Sequence, residues 1–317
     1  MMSSPHFVLL ALLLALSSVS PASAHGCGLT YKDLHAAKLS SDQNQVPQTI
    51  YAASPSSSLP TAWDWRNMNA TNFITPPSYQ MLPSQCGSCW AFASTGALAD
   101  RFKIALNNQH PDIVLSVQSL LDCGSDAGSC NGGNALAAYE YIHEDGGITD
   151  STCLPYKGVD NSNWAEVDCV DRMCQSCDRF GTCSYTPQTD LQTLYKISEY
   201  GWVKGVYDMK AEIMNGPIAC LMYAHSEDFE SYTGGIITND TKYDGITHVV
   251  VVTGWGVDSQ TGMEYWRVKN SFGSEWGEMG FYRVEIGKDI YNMESNECAF
   301  AVPSEEIIES IKKRSRL

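Results

Sequence analysis

Gln85-Cys86-Gly87-Ser88-Cys89-Trp90-Ala91-Phe92-Ala93 passes from a small polar turn directly into a run rich in alanine, phenylalanine and leucine. The composition stays helical through Ile104, so a helix over Ser88 to Ile104 is predicted, with Cys89 in its first turn. A thiol in that position faces unpaired backbone N–H groups and the positive end of the helix dipole, and both favour thiolate over thiol. Two other readings stay open here. Cys86 and Cys89 are spaced like a redox dithiol, and together with Cys174 and Cys177 they are spaced like a four-cysteine zinc centre.

The 317 residues suffice for a substantial core divided between two lobes. With 20 Lys and Arg against 36 Asp and Glu the formal charge is −16, which argues against nucleic acid as a partner because a phosphate backbone needs a basic face. Phe7 to Leu16 is a short apolar core followed by Ala22-Ser23-Ala24, a small-x-small cleavage pattern, so residues 1–24 are expected to be a signal peptide. No Lys or Arg precedes that core, which leaves a buried helix as the alternative. No later segment reaches membrane-spanning length, so a soluble, exported chain is expected. Twelve cysteines in such a chain imply disulfides, since an oxidising lumen favours bridges over a zinc centre.

Residues 25–58 combine Ser40-Ser41-Asp42-Gln43-Asn44-Gln45 with Pro47, Pro55 and a serine cluster, and read as a removable leader without its own core. From Trp63-Asp64-Trp65-Arg66 onward the composition is globular. A second helix is predicted over Ala135 to His143, and strands dominate from Gly216 on, with Val249 to Val252 and Tyr265 to Val268 the strongest signals. Helices first and strands second predict an α+β fold with a helical lobe over roughly 63–185, a sheet-rich lobe over roughly 186–303, and a groove between them. The charge pattern of residues 304–317, acids first and bases last, predicts a solvated terminal helix.

A nucleophilic Cys89 needs a base. Of seven histidines, His225 sits in a polar stretch and reads as solvent-facing, whereas His248 opens the run His248-Val249-Val250-Val251-Val252 and would be held rigidly at a strand's end. An imidazole base must itself be oriented, and Asn270 can offer its amide oxygen to one ring nitrogen, with Trp276 shielding that bond from water.

With these residues in view, the chain resembles the papain family of cysteine proteases (peptidase family C1), and within it the cathepsin X (cathepsin Z) branch. Besides Cys86-Gly87-Ser88-Cys89-Trp90, the likeness rests on Ser116-Val117-Gln118, Asp122-Cys123, Ser129-Cys130, Gly132-Gly133-Asn134, Tyr232-Thr233-Gly234-Gly235-Ile236 and Glu264-Tyr265-Trp266, and runs from about Leu59 to Cys298. His248 and Asn270 lie farther from Cys89 than the family's usual spacing, which implies insertions, for which 153–183 is the obvious place.

The resemblance implies a papain-like two-lobe fold, with a helical left lobe, a β-barrel-like right lobe and a catalytic domain over 59–303. It implies Cys89 as nucleophile, His248 as the imidazolium that protonates the leaving amine, Asn270 as its orienter, and Gln80 rather than Gln85 as an oxyanion donor. Met81-Leu82-Pro83 then matches the branch's three-residue loop, which begins with a carboxylate-binding histidine in those carboxypeptidases. Met81 can neither donate a hydrogen bond nor carry charge, so carboxypeptidase action is expected with an endopeptidase as the alternative, and a non-catalytic binding protein as a remote one. Phe272 replaces a tryptophan common in the family and keeps an aromatic shield.

The same resemblance pairs Cys86 with Cys130, Cys123 with Cys169, Cys153 with Cys174, Cys177 with Cys183, and Cys220 with Cys298, leaving Cys27 of the leader to mask Cys89 in a zymogen. Asn69 and Asn239 head glycosylation sequons. No metal and no cofactor are expected. The partners implied are peptide or protein substrates and the chain's own propeptide as inhibitor, in a monomer of a lysosome-like acidic vesicle or the cell exterior.

Overall fold

Four consecutive valines belong to β9 (His248–Val257), a strand buried along its whole length except at Val257. Val249 and Val251 enter one core, and Val250 and Val252 enter another. A strand covered on both faces needs no polar alternation, which is why this segment reads as an unbroken apolar run. The computed structural model describes residues 27–28, 46–51, 59–160, 173–177, 179–187, 194–239 and 241–314. The expected signal peptide, residues 1–24, lies outside them.

Among the described residues the helices are α1 (Cys89–Ala105), α2 (Val117–Cys123), α3 (Ala135–Glu144), α4 (Val206–Ile213), α5 (Glu227–Glu230) and α6 (Glu305–Arg314). The strands before β9 are β1 (Trp63–Asp64), β2 (Gly128–Ser129), β3 (Gly132–Gly133), β4 (Met173–Cys177), β5 (Cys183–Pro187), β6 (Ile197–Val203), β7 (Ile218–Met222) and β8 (Ile236–Ile237). After it come β10 (Glu264–Lys269), β11 (Phe281–Glu285) and β12 (Cys298–Pro303).

The main sheet has eight strands, in the order β6-β12-β7-β9-β10-β11-β8, with β1 added against β9. It confirms the α+β class, but among the described residues the path is open at β6 and β8, so the expected barrel-like lobe is not a closed barrel. Strand signals also begin earlier than Gly216. The β6 segment ISEYGWV carries Ser198 and Glu199 on exposed positions, too polar to stand out in sequence, and antiparallel pairing with β12 makes it a strand.

Helix α1 is buried on most of its circumference, including Trp90, Leu98, Ala99 and Phe102, because it lies between the sheet and the rest of the helical lobe. Its far end is fastened by a charge cluster. Asp100 accepts from Lys269 Nζ at 2.7 Å and from the Thr75 backbone N–H and hydroxyl, both at 2.7 Å. Lys269 ends β10, so this buried pair ties the helix that carries Cys89 to the strand that leads into Asn270. Asn134 caps α3 by accepting from the N–H groups of Leu136 and Ala137. The terminal helix α6 has the expected acids first and bases last, but it is not purely solvated, since Ile307 and Ile308 are buried in the helical-lobe core.

Disulfides join Cys86 to Cys130, Cys153 to Cys174 and Cys220 to Cys298, the last between register partners on β7 and β12. Cys123 is disulfide-bonded, and its expected partner Cys169 lies outside the described residues. Cys183 is also bonded and faces Cys177 in the β4–β5 register, the Cys177 side chain lying outside the described residues. Cys86 and Cys89 therefore form neither a dithiol pair nor, with Cys174, a zinc centre, because each bonds a different sulfur.

Candidate active site

Cys89 is the first residue of α1 and is fully buried. The turn before it is held from both sides. Cys86 is bonded to Cys130, and the Gly87 N–H donates to the Cys130 carbonyl at 2.7 Å. A Cβ at Gly87 would lie 2.5 Å from that carbonyl oxygen, so only glycine permits this approach. Ser88 sits at the N-cap with its hydroxyl 2.8 Å from that of Tyr156.

His248 begins β9 and Asn270 follows the last residue of β10, and the antiparallel register of the two strands brings the side chains together. His248 Nε2 lies 2.8 Å from Asn270 Oδ1. A carbonyl oxygen only accepts, so Nε2 carries the proton and Nδ1 points its lone pair the other way. Burial pushes the His248 imidazole down to about 4, with the Asn270 bond opposing and nearby His225 adding to the depression. The Phe272 ring stacks on the imidazole at 5.0 Å, while Trp276 meets Phe272 edge-on at 5.7 Å. The direct aromatic cover of His248 is thus Phe272, with Trp276 behind it.

Cys89 is bonded to Cys27, whose sulfur lies 3.4 Å from His248 Nδ1. Cys27 and Gly28, from the stretch expected to be a leader, are held there by backbone contacts on both sides. The Cys27 N–H donates to the Thr247 carbonyl at 2.8 Å, and the Cys27 carbonyl accepts from Gly133 N–H at 3.1 Å. Next to it, a Cβ on Gly28 would lie 2.8 Å from the His248 carbonyl oxygen, so the residue after Cys27 has to be glycine.

Gln80 is 1% exposed, whereas Gln85 is on the surface. Its Oε1 accepts from the Ser271 hydroxyl at 2.6 Å, which turns its NH2 group toward the Cys86 carbonyl at 3.2 Å and the Cys27 sulfur at 3.9 Å. Ser271 and Tyr156, whose hydroxyl donates to the Gln80 carbonyl at 2.7 Å, are positioning residues that sequence reading missed. Nothing in their local sequence marks them; both act across long separations.

Met81 is half-buried and Leu82 and Pro83 are exposed. Met81 lines a cavity of about 480 Å³ together with Cys27, His225, Glu230, Phe272 and Trp276. His225 is therefore not a purely solvent-facing residue. It borders the site, its Nδ1 3.7 Å from the Glu230 carboxylate. Asn69 and Asn239 are both exposed.

Comparison with known proteins agrees with this geometry. The family model described as papain family cysteine protease matches residues 59–302. The chain is 41% identical over 254 residues to a cathepsin Z of Onchocerca volvulus, covering 77% of this chain and 78% of that one. It is 33% identical over 250 residues to human cathepsin L2, covering 77% of this chain and 64% of the relative, somewhat under two thirds of its length. Among solved structures it resembles the digestive procathepsin L2 proteinase from Tenebrio molitor larval midgut, with a TM-score of 0.62, 28% identity, and coverage of 89% of this chain and 76% of that one. The chain belongs to the papain family of cysteine proteases.

Proposed function

We propose that the protein is a cysteine-type carboxypeptidase, exported with a signal peptide over 1–24 and held as a zymogen by a leader over 25–58 that masks the catalytic domain, 59–303. After reduction, the Cys89 thiolate at the head of α1 attacks the scissile carbonyl. His248 gives its proton to the leaving amine, and Asn270 keeps the ring in the required orientation. The Gln80 amide and the backbone N–H of Cys89 stabilise the oxyanion, and losing one such donor typically costs about 2.7–4 kcal/mol in the transition state. In the latched state burial keeps His248 neutral. The freed thiolate would supply the anion that stabilises an imidazolium beside it.

The observation that carries the exopeptidase reading is the cavity beside His248, which Met81 of the three-residue loop walls off and into which His225 faces. Met81 cannot bind a carboxylate, whereas the ring N–H groups of His225 can donate to one. The disulfides support an exported protein of an acidic vesicle or the cell exterior, since reducing compartments do not preserve them. The exposed Asn69 and Asn239 are suited to glycosylation.

A free-acid peptide compared with its C-terminal amide tests this reading on the reduced, leader-free enzyme. The free acid should be cleaved faster, and His225→Ala should shrink the preference by about 10- to 100-fold, the worth of one hydrogen bond to a charged group. Equal rates on both substrates would leave an endopeptidase. No labelling by an epoxide thiol probe, in a form where Cys89→Ala makes no difference, would leave a binding protein instead.

A further inference from the structure

Among the described residues one group of His, Cys, Asp and Glu side chains brings three potential metal ligands together, two of them now joined as a disulfide. Cys27, Cys89 and His248 have donor atoms within 4.8 Å of one another, and all three residues are buried. We propose that, when the Cys27–Cys89 bond is reduced with the leader still seated, these three side chains hold one zinc ion that keeps the groove closed. The inference concerns the leader-bound chain and does not depend on which peptide bond the enzyme cleaves.

Cys27 is held by more than its disulfide. Its backbone is hydrogen-bonded to Thr247 on one side of the groove and to Gly133 on the other, and Gly28 packs against the His248 backbone. Breaking the S–S bond therefore leaves the Cys27 sulfur beside the ring. His248 is already arranged as a ligand. Its Nε2–H is committed to Asn270 Oδ1 at 2.8 Å, so Nδ1 presents a lone pair toward the sulfurs, 3.4 Å from that of Cys27. Orienting a ligating imidazole through its far nitrogen is the usual outer-shell arrangement of metal sites.

The donor set selects the ion. Two thiolates and one imidazole suit Zn2+, with Zn–S near 2.3 Å and Zn–N near 2.0–2.1 Å. Tetrahedral geometry at those lengths places nitrogen and sulfur about 3.6 Å apart, close to the 3.4 Å found. It places the two sulfurs about 3.8 Å apart, which side-chain rotation at either cysteine can reach. The N-terminus of α1 and the Gln80 NH2 group, 3.9 Å from the Cys27 sulfur, both favour thiolate. A water completes the tetrahedron.

The chemistry balances with a named reductant. Two equivalents of a thiol, which become its disulfide, or a phosphine with water, which become the phosphine oxide, deliver two electrons and two protons, so the S–S bond breaks and two thiols form. Each thiol then releases its proton to solvent as its sulfur bonds Zn2+, and the imidazole binds without losing one. Reduction alone would then exchange a covalent lock for a metal lock, and activation would also need removal of the leader or of zinc.

The test uses the full leader-bearing chain, reduced under anaerobic conditions with a phosphine and titrated with Zn2+ against a chromogenic chelator, and separately with Co2+. Wild type should bind one equivalent more than Cys27→Ser and show the thiolate-to-cobalt band of a tetrahedral site. Asn270→Ala should weaken zinc at least about ten-fold through the ring it no longer orients. Sites created at other reduced cysteines appear equally in Cys27→Ser and cancel. Identical stoichiometry and cobalt spectra in wild type and Cys27→Ser overturn the proposal. So does equal zinc binding by unreduced wild type, a control that needs no substitution.

Discussion

Among the described residues, the proposed leader meets the rest of the chain in two places that work on opposite principles. At Cys27-Gly28 the contact is buried, narrow and covalent, and it ends on the sulfur at the head of α1. Residues 46–51 instead lie along β6 and α4. There Thr49 N–H donates to the Trp202 carbonyl at 2.8 Å, the Trp202 indole N–H donates to the Val46 carbonyl at 2.9 Å, and the Tyr51 hydroxyl donates to Glu212. Glu212 is in turn paired with Arg101 Nη2 at 2.6 Å. The first contact ties up the Cys89 sulfur, the nucleophile proposed above, whereas the second joins chain to surface by hydrogen bonds. Inhibition should therefore follow the sulfur, and attachment should follow the tyrosine.

The largest effect should come from separating the two. Cys27→Ser leaves residues 46–51 docked but frees Cys89, so the unreduced chain should react with an epoxide thiol probe more than about a hundred-fold faster than unreduced wild type, whose sulfur is not a nucleophile. Equal labelling would mean that the docked segment, rather than the bond, closes the site.

A smaller effect concerns pH. The latched His248 titrates at about 4, below the ordinary value of about 6.5 in the unfolded chain. Between those values the unfolded state binds the extra proton, so stability is complete above pH ~6.5 and is lost as pH falls toward 4, by up to about 3 kcal/mol. Urea unfolding of the latched chain across that range should show the slope, and His248→Gln should flatten it. In the reduced, leader-free form the neighbouring thiolate favours the imidazolium and the slope should shrink.

The smallest effect belongs to the second contact. Tyr51→Phe removes the hydrogen bond to Glu212, worth about 1.5–3 kcal/mol where a charged acceptor is involved and less here because Tyr51 is partly exposed. Hydrogen exchange of residues 46–51 should accelerate while wild-type dependence of Cys89 labelling on reductant is kept. Loss of that dependence would show the two contacts to be one.

The helical half was the more legible. Helix α1 starts one residue from its predicted start and α3 coincides with its predicted start, because the transition from a glycine- or serine-containing turn to an apolar run is a local signal. The valine run of β9 was equally plain. β6 was not, since Ser198 and Glu199 face solvent and interrupt its apolar pattern, and pairing with β12 makes it a strand. The same division holds at the site. His248 could be chosen from sequence because it opens a rigid strand, but His225 read as solvent-facing because nothing local indicates that Met81 and Trp276 share its cavity. Phe272 read as a substitute shield, and only the packing reveals it as the ring lying directly on His248.

By itself the sequence determined where a thiol meets a helix N-terminus and which apolar run makes the plainest strand. These follow from periodicity, capping and chemistry within a few residues. The resemblance implied the rest, but only the tertiary structure shows Gln80 inside and Gln85 outside, His248 and Asn270 in contact, and Cys89 bonded to a sulfur 62 residues away. Each of those depends on long-range register and backbone contacts, β9 against β10 in one case and Thr247 and Gly133 around Cys27 in the other, which no local pattern encodes.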